Sequence, residues 1–371
     1  DVTYPIETPT AEPTALPTHT PTTPTPSVGL PIYRLHMFAD GSGWAFNSNQ
    51  SALYHTTDGG LSWFTVYPQA GETLEGGSVD GFFLDGNTAW LSLSDYATET
   101  SSILHTTDSG ATWSETPLTF LGGTLFFLDN NTGFMLSRLG AGAGSEWVAI
   151  YATSDAGQTW EQRFTHTPGG EEPSLPAGGI KSGFAFLDPL NGWITGSEPV
   201  NDFVYLYRTT NGGATWAHQP CDIADADPDA MYTSFPPIFV SETEGFLPLQ
   251  TFLMDGTAQT IVCKTTDGGQ TWQSVSSAPI QAYVFDFVDG QNGWILGETA
   301  LFRSTDGATT WEDLSSSLPA GYTALSLDFV DAEAGWLLVY DSSSDSFDHN
   351  LLFYSQNGGQ TWVQFDARMG D

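Results

Sequence analysis

Carboxylates carry most of the chemistry this chain could do: 44 Asp and Glu stand against 8 Lys and Arg in 371 residues. Four of them, Asp222, Asp225, Asp227 and Asp229, crowd one stretch and would offer oxygen ligands to calcium. The stretch lacks the glycine and the closing glutamate of a helix-loop-helix calcium site, so a solvated acidic loop is the better expectation. A second acidic stretch, 341–348, reads the same way. Other acids recur at one position of an octapeptide of the general form Ser/Thr-x-Asp-x-Gly-x-Thr-Trp. Asp58, Asp108, Asp155, Asp267 and Asp306 hold that position, and Asn211 and Asn357 hold it in two further copies. An amide oxygen still accepts a turn hydrogen bond, whereas a catalytic acid would not survive the change, so these acids are expected to build turns. No catalytic residue and no cofactor is assigned. No His/Cys set has zinc spacing, and no glycine-rich phosphate loop follows a strand.

The octapeptides define the scaffold. Each ends in Trp63, Trp113, Trp160, Trp216, Trp272, Trp311 or Trp362, spaced 39 to 56 residues apart, which is the period of a four-stranded propeller blade. Upstream of each lies an aromatic strand, a turn and a Gly-aromatic pair, centred on Phe38/Trp44, Phe83/Trp90, Phe127/Phe134, Phe186/Trp193, Phe239/Phe246, Phe287/Trp294 and Phe329/Trp336. The two elements account for every tryptophan except Trp147. A unit of this kind cannot bury both faces alone, so stacking around an axis must supply the core.

The expectation is therefore an all-β fold: a single seven-bladed propeller of four-stranded antiparallel blades over residues 31–371. The blades fall at about 33–67, 79–118, 124–164, 180–221, 235–276, 282–314 and 323–366. No strand is left over to latch the first blade to the last, so ring closure is expected to rest on packing. The expansions at 138–148, 161–183, 217–236 and 341–350 read as contact loops on a rigid frame.

Residues 1–30 differ, with nine Thr and seven Pro. Pro-Thr recurs every four residues, which favours an extended polyproline II arm reaching on the order of 90 Å. Thr10, Thr14, Thr18 and Thr22 beside proline also fit an O-glycosylated stalk; a plain spacer is the alternative.

The shortage of cations excludes a polyanionic partner, so nucleic acid is not expected. No stretch is long and apolar enough to be a transmembrane segment. A lysine-poor secreted surface explains the charge better than salt adaptation, and a chain starting at Asp1 fits a leader already removed. Cys221 and Cys263 permit one disulfide or two free thiols.

The octapeptides and their upstream elements resemble the Asp-box propellers of sialidases, sortilin-type receptors, xyloglucan hydrolases and the photosystem II assembly factor. Phe287-Val288-Asp289 followed by Gly293-Trp294 looks most like the assembly-factor group. The resemblance covers residues 33–366 and is specific for fold, not function. It implies docking through an arginine-rich surface, which six arginines cannot supply. Arg208, Lys264 and Arg303 do share the position before the octapeptide with His55 and His105, where each stem is expected to cover an indole. A sialidase would need three arginines around a carboxylate, and Pro31–Leu35 matches its arginine strand only faintly. A xyloglucan hydrolase would need a second propeller to form its cleft.

The functional expectation is a non-enzymatic extracellular or cell-surface propeller, tethered or assembled into an array or fibre through its arm. Its partner would be a protein, a glycan or a copy of itself. The alternatives are an assembly chaperone for a membrane complex and a glycosidase.

Overall fold

The computed structural model describes residues 29–67, 77–95, 100–166, 174–224, 226–253, 256–341 and 349–370. The arm with Thr10, Thr14, Thr18 and Thr22, the stretch 342–348 and Asp225 lie outside the described residues.

Thirty short strands and one 3-10 turn make up the described chain, and antiparallel pairing dominates. The octapeptide shows why the chain reverses where it does. Asp58 Oδ1 accepts from the Ser62 N–H at 2.8 Å and from the Thr56 hydroxyl at 2.9 Å. Thr56 Oγ1 accepts from Gly60 N–H at 3.1 Å, and the Trp63 indole N–H closes the turn on the Gly60 carbonyl at 2.9 Å. Gly60 sits at φ 91°, where a side chain would be strained. Asn211 reproduces the arrangement, accepting from Thr215 N–H at 2.9 Å and donating to the Thr215 hydroxyl at 2.8 Å. The turns are local structures whose polar groups satisfy one another.

Neighbouring units join through aromatic pairs. Trp90 stacks on Phe127 at 3.8 Å, Phe134 on Phe186 at 3.5 Å, Phe246 on Phe287 at 4.0 Å and Trp294 on Phe329 at 3.7 Å. In each case an aromatic from the second strand of one unit meets the phenylalanine ending the first strand of the next. Such pairs contribute about 0.5–1.5 kcal/mol beyond the area they bury. The core is accordingly a circle of interfaces between sheets rather than one central mass.

The expected seven separate four-stranded blades are corrected. Five blades stand as separate sheets: four of four strands and one of five. The remaining nine strands form one sheet, which carries the fourth and fifth octapeptides. The cause lies in 217–236, read from the sequence as a contact loop. Its last part folds as the strand Met231–Ser234, which pairs along Gly245–Phe252 and touches Gly192–Ser197 at Ser197↔Thr233. Ser234 Oγ holds the junction, accepting from Gly196 N–H at 3.0 Å and donating to the Tyr205 carbonyl. The disulfide Cys221–Cys263 crosses the same region.

Ring closure is also more than packing. The C-terminal strand Arg368–Met369 adds in parallel to Ser62–Tyr67, making the first sheet five-stranded. Leu30 and Asn350 exchange backbone hydrogen bonds of 2.8 and 3.0 Å, and the Trp336 indole donates to Gly59 at 2.8 Å. Both chain ends thus latch the last sheet to the first, through segments too short to announce themselves as strands.

Candidate functional site

First strands touch one another across units, Arg34–Met37 against Tyr322–Phe329, Tyr322–Phe329 against Val284–Phe287, and Thr124–Phe127 against both Gly77–Phe83 and Ile180–Phe186, which places these strands innermost. The register assigns each of these strands one residue opposite the second-strand aromatic. Around the ring these residues are His36, Phe82, Phe126, Ala185, Ile238, Asp286 and Asp328. The ring is therefore two-sided. Three consecutive positions, Asp286, Asp328 and His36, are ionisable, whereas the other four are apolar, with Phe82 against Phe126 at 5.6 Å.

The charged side is organised by backbone donors. Asp286 Oδ2 accepts from Phe329 N–H at 2.6 Å, and Asp328 Oδ2 accepts from Met37 N–H. Each aspartate therefore also ties its inner strand to the next one. Asp80, further along the shaft, does the same to Leu125 N–H at 3.1 Å. His36 Nδ1 lies 3.5 Å from Asp328 Oδ1. The His36 side chain, on the inner strand that lines the shaft at the ring's axis, keeps 46% of its surface accessible.

These surroundings set the protonation states. Burial, then the charge of Asp328, pushes the Asp286 carboxyl well above the usual carboxylate range, against the Phe329 N–H and His36. Burial alone would lower His36, but the charge and hydrogen bond of Asp328, together with Asp286, outweigh it and raise its pKa. Burial raises Asp80 to about 6, partly offset by Leu125 N–H and the charges of Arg34 and Arg138. The site therefore sets a carboxyl that keeps its proton above the usual carboxylate range beside a second aspartate and an imidazole whose pKa is raised. It can accept a cation by releasing a proton, or pass a proton between carboxyls.

The candidates read from the sequence fall elsewhere in the molecule. The turn residues Asp58, Asp108, Asp155, Asn211, Asp267, Asp306 and Asn357 all accept from the hydroxyl two residues upstream. Their tryptophans pack between units. Asp222 contributes backbone bonds to Trp272 and Ser274, and Asp227 Oδ1 accepts from Asp229 N–H at 2.9 Å. Among the described residues no three His, Cys, Asp or Glu side chains converge to hold a metal ion. The residues before the octapeptides do cover aromatic rings: Arg208 on Trp193 at 5.5 Å, Lys264 on Phe246 at 5.1 Å and Arg303 on Trp294 at 5.4 Å. Arg163 is held by the Asn211 and Gly212 carbonyls, whereas Arg34 and Arg138 bring their charge to Asp80.

Sequence reasoning missed Asp286 and Asp328. The available signal was an acid inside an apolar inner strand, Phe285-Asp286-Phe287 and Leu327-Asp328-Phe329, seen by laying the seven inner strands side by side.

The propeller fold has counterparts among solved structures. A YCF48 bound to a D1 peptide is 18% identical over 90% of this chain and 94% of its own, with TM-score 0.54. A GH74 enzyme of Niastella koreensis is 15% identical with TM-score 0.56, over 91% of this chain and 66% of its own. A PL25 ulvan lyase is 12% identical with TM-score 0.52, over 91% and 94%. No protein-family model and no curated protein sequence matches the chain. At these identities the likeness shows the fold, a propeller of the kind used by photosystem II assembly factors and by polysaccharide-cleaving enzymes. The expectation of a non-enzymatic protein is thereby corrected, because the same frame carries enzymes and this one presents paired carboxylates. Among the described residues no helix is long and apolar enough to cross a membrane.

Proposed function

We propose that this is a protein-binding Asp-box propeller whose shaft receives a basic segment of its partner. The observation that carries the reading is the two-sided ring, in which Asp286 and Asp328 face a cationic side chain while Phe82, Phe126 and Ile238 offer apolar contact. A surface with 44 acids and 8 Lys and Arg favours such a partner at long range. The YCF48 structure, with its bound D1 peptide, gives a propeller precedent for peptide recognition. The Cys221–Cys263 disulfide supports an oxidising, extracellular or cell-surface setting. In that setting the Thr/Pro-rich arm serves as a tether or an assembly element.

Calorimetry with synthetic Lys- and Arg-containing peptides tests this. Binding should strengthen as pH rises through the raised pKa of Asp286, because the cation favours the ionised form, and should be lost in Asp286→Asn/Asp328→Asn. Binding indifferent to both would sink the reading.

The aspartate pair also favours a second reading, a carbohydrate-active enzyme with Asp286 as acid and Asp328 as base. Turnover of a soluble polysaccharide that disappears in Asp286→Asn would establish it.

A further inference from the structure

The residue before each octapeptide stands opposite the second-strand aromatic, and six of the seven cover that ring. His55 meets Trp44 at 4.4 Å, His105 stacks on Trp90 at 4.6 Å and Tyr354 lies 5.0 Å from Trp336; Arg208, Lys264 and Arg303 do the same as cations. Three of the caps also reach a carbonyl in the turn of the following unit. His55 Nε2 lies 2.8 Å from Gly86 O, Lys264 Nζ donates to Gly290 O at 3.0 Å and Arg303 Nη2 to Ala332 O at 2.8 Å.

The third unit breaks the rule. Ala152 stands opposite Phe134, and its methyl group packs on the cluster around that ring but carries no donor for the next turn. A cleft of about 350 Å³ opens there, between the third sheet and the nine-stranded sheet. Phe134, Ala152, Glu161, Arg163, Pro189 and Gly212 are among the residues that line it. Pro189 follows Asp188 as Gly86 follows Asp85 and Gly290 follows Asp289, so the slot contains the residue whose carbonyl corresponds to the caps' acceptor. Arg163 does not fill the missing role. Its Nε and Nη2 are bound to Gly212 O and Asn211 O, and Nη1 pairs with Glu161 at 3.1 Å. Nearby Asp155 is held ionised by its turn, with the Thr159 hydroxyl and N–H lowering its pKa against desolvation. Glu161 offsets the charge of Arg163 in the lining, and Asp155 adds a carboxylate beside Ser154 and Thr159.

We infer that this slot is a receptor for an arginine or lysine side chain of a protein partner, which enters where the chain's own cap is missing. The incoming cation would lie toward Phe134 and the Pro189 carbonyl as Lys264 lies on Phe246 and Gly290. The preference for a cation follows from the internal examples and from the acid surplus of the chain. The inference is independent of the shaft.

The test uses a labelled Gly/Ser peptide carrying one arginine, its lysine analogue and its citrulline analogue, titrated by fluorescence polarisation against the full chain. Citrulline keeps the shape and loses the charge, and should bind at least about tenfold more weakly. Ala152→Arg and Ala152→His supply caps this molecule already uses; both should abolish peptide binding and shift the melting midpoint upward. Asp286→Asn/Asp328→Asn should leave slot binding unchanged, so failure here and failure of the shaft reading are separable. Equal binding of arginine and citrulline peptides, or undiminished binding by a folded Ala152→Arg or Ala152→His protein, would overturn the inference.

Discussion

The octapeptide aspartates and the shaft aspartates are the same side chain under opposite constraints. Asp108, Asp155, Asp267 and Asp306 lie at the surface, where turn hydroxyls and N–H groups favour the charged form and lower their pKa values. Asp80 and Asp286 lie on inner strands, and burial raises theirs against one backbone donor each and the nearby charges of Arg34 and Arg138 or of His36. The difference teaches that acid content alone says little. A carboxylate with several local donors is part of the scaffold, while one held by a lone donor beside another acid keeps a proton to exchange.

The largest expected effect is at the ring seam. Asp328→Ala strands the Met37 N–H and removes the partner of His36, at a cost of about 2–4 kcal/mol in chemical denaturation. A cost below about 1 kcal/mol would place this acid with the turn group. Next is the pH dependence, whose sign differs between the two groups. Asp80 has a folded pKa of about 6, so its contribution is fully present below the ordinary carboxylate range and is lost as pH rises through 6. That loss is on the order of 2–3 kcal/mol, and Asp80→Asn should flatten it. The turn aspartates run the other way: their contribution is present above the ordinary carboxylate range and fades only as pH falls through their lowered values. Together they place maximum stability on the acid side of neutrality, which a denaturation series from pH 4 to 8 checks.

Smaller effects separate the turns themselves. Asp267→Ala removes bonds from Thr271 N–H and the Thr265 and Thr271 hydroxyls and should cost about 1 kcal/mol. Asn211→Asp should change stability by less than about 0.5 kcal/mol, since Asn211 already makes the same turn. A large change there would mean the acid has a role beyond the hairpin.

Much of the fold was legible because the octapeptide is a local structure: Thr56, Asp58, Gly60 and Trp63 bond among themselves within one turn. The spacing of the tryptophans and the Gly-aromatic elements likewise marked where each unit begins and folds back. The sequence could not reveal that Met231–Ser234 fuses two units into nine strands, or that Arg368–Met369 closes the ring. Two- and four-residue strands have no periodicity of their own and exist only because a neighbouring edge supplies their hydrogen bonds.

The same division holds for the site. The sequence by itself determined that the chain is too poor in cations to suit a polyanionic partner and that its tryptophans recur in repeats. Only the tertiary structure brought Asp286, Asp328 and His36 together, from strands far apart in the chain, and set their protonation by enclosure. Only the tertiary structure, too, turned Ala152 from an ordinary strand residue into a missing cap. Both depend on which side chains meet across a closed ring, a property of long-range register that no local pattern encodes.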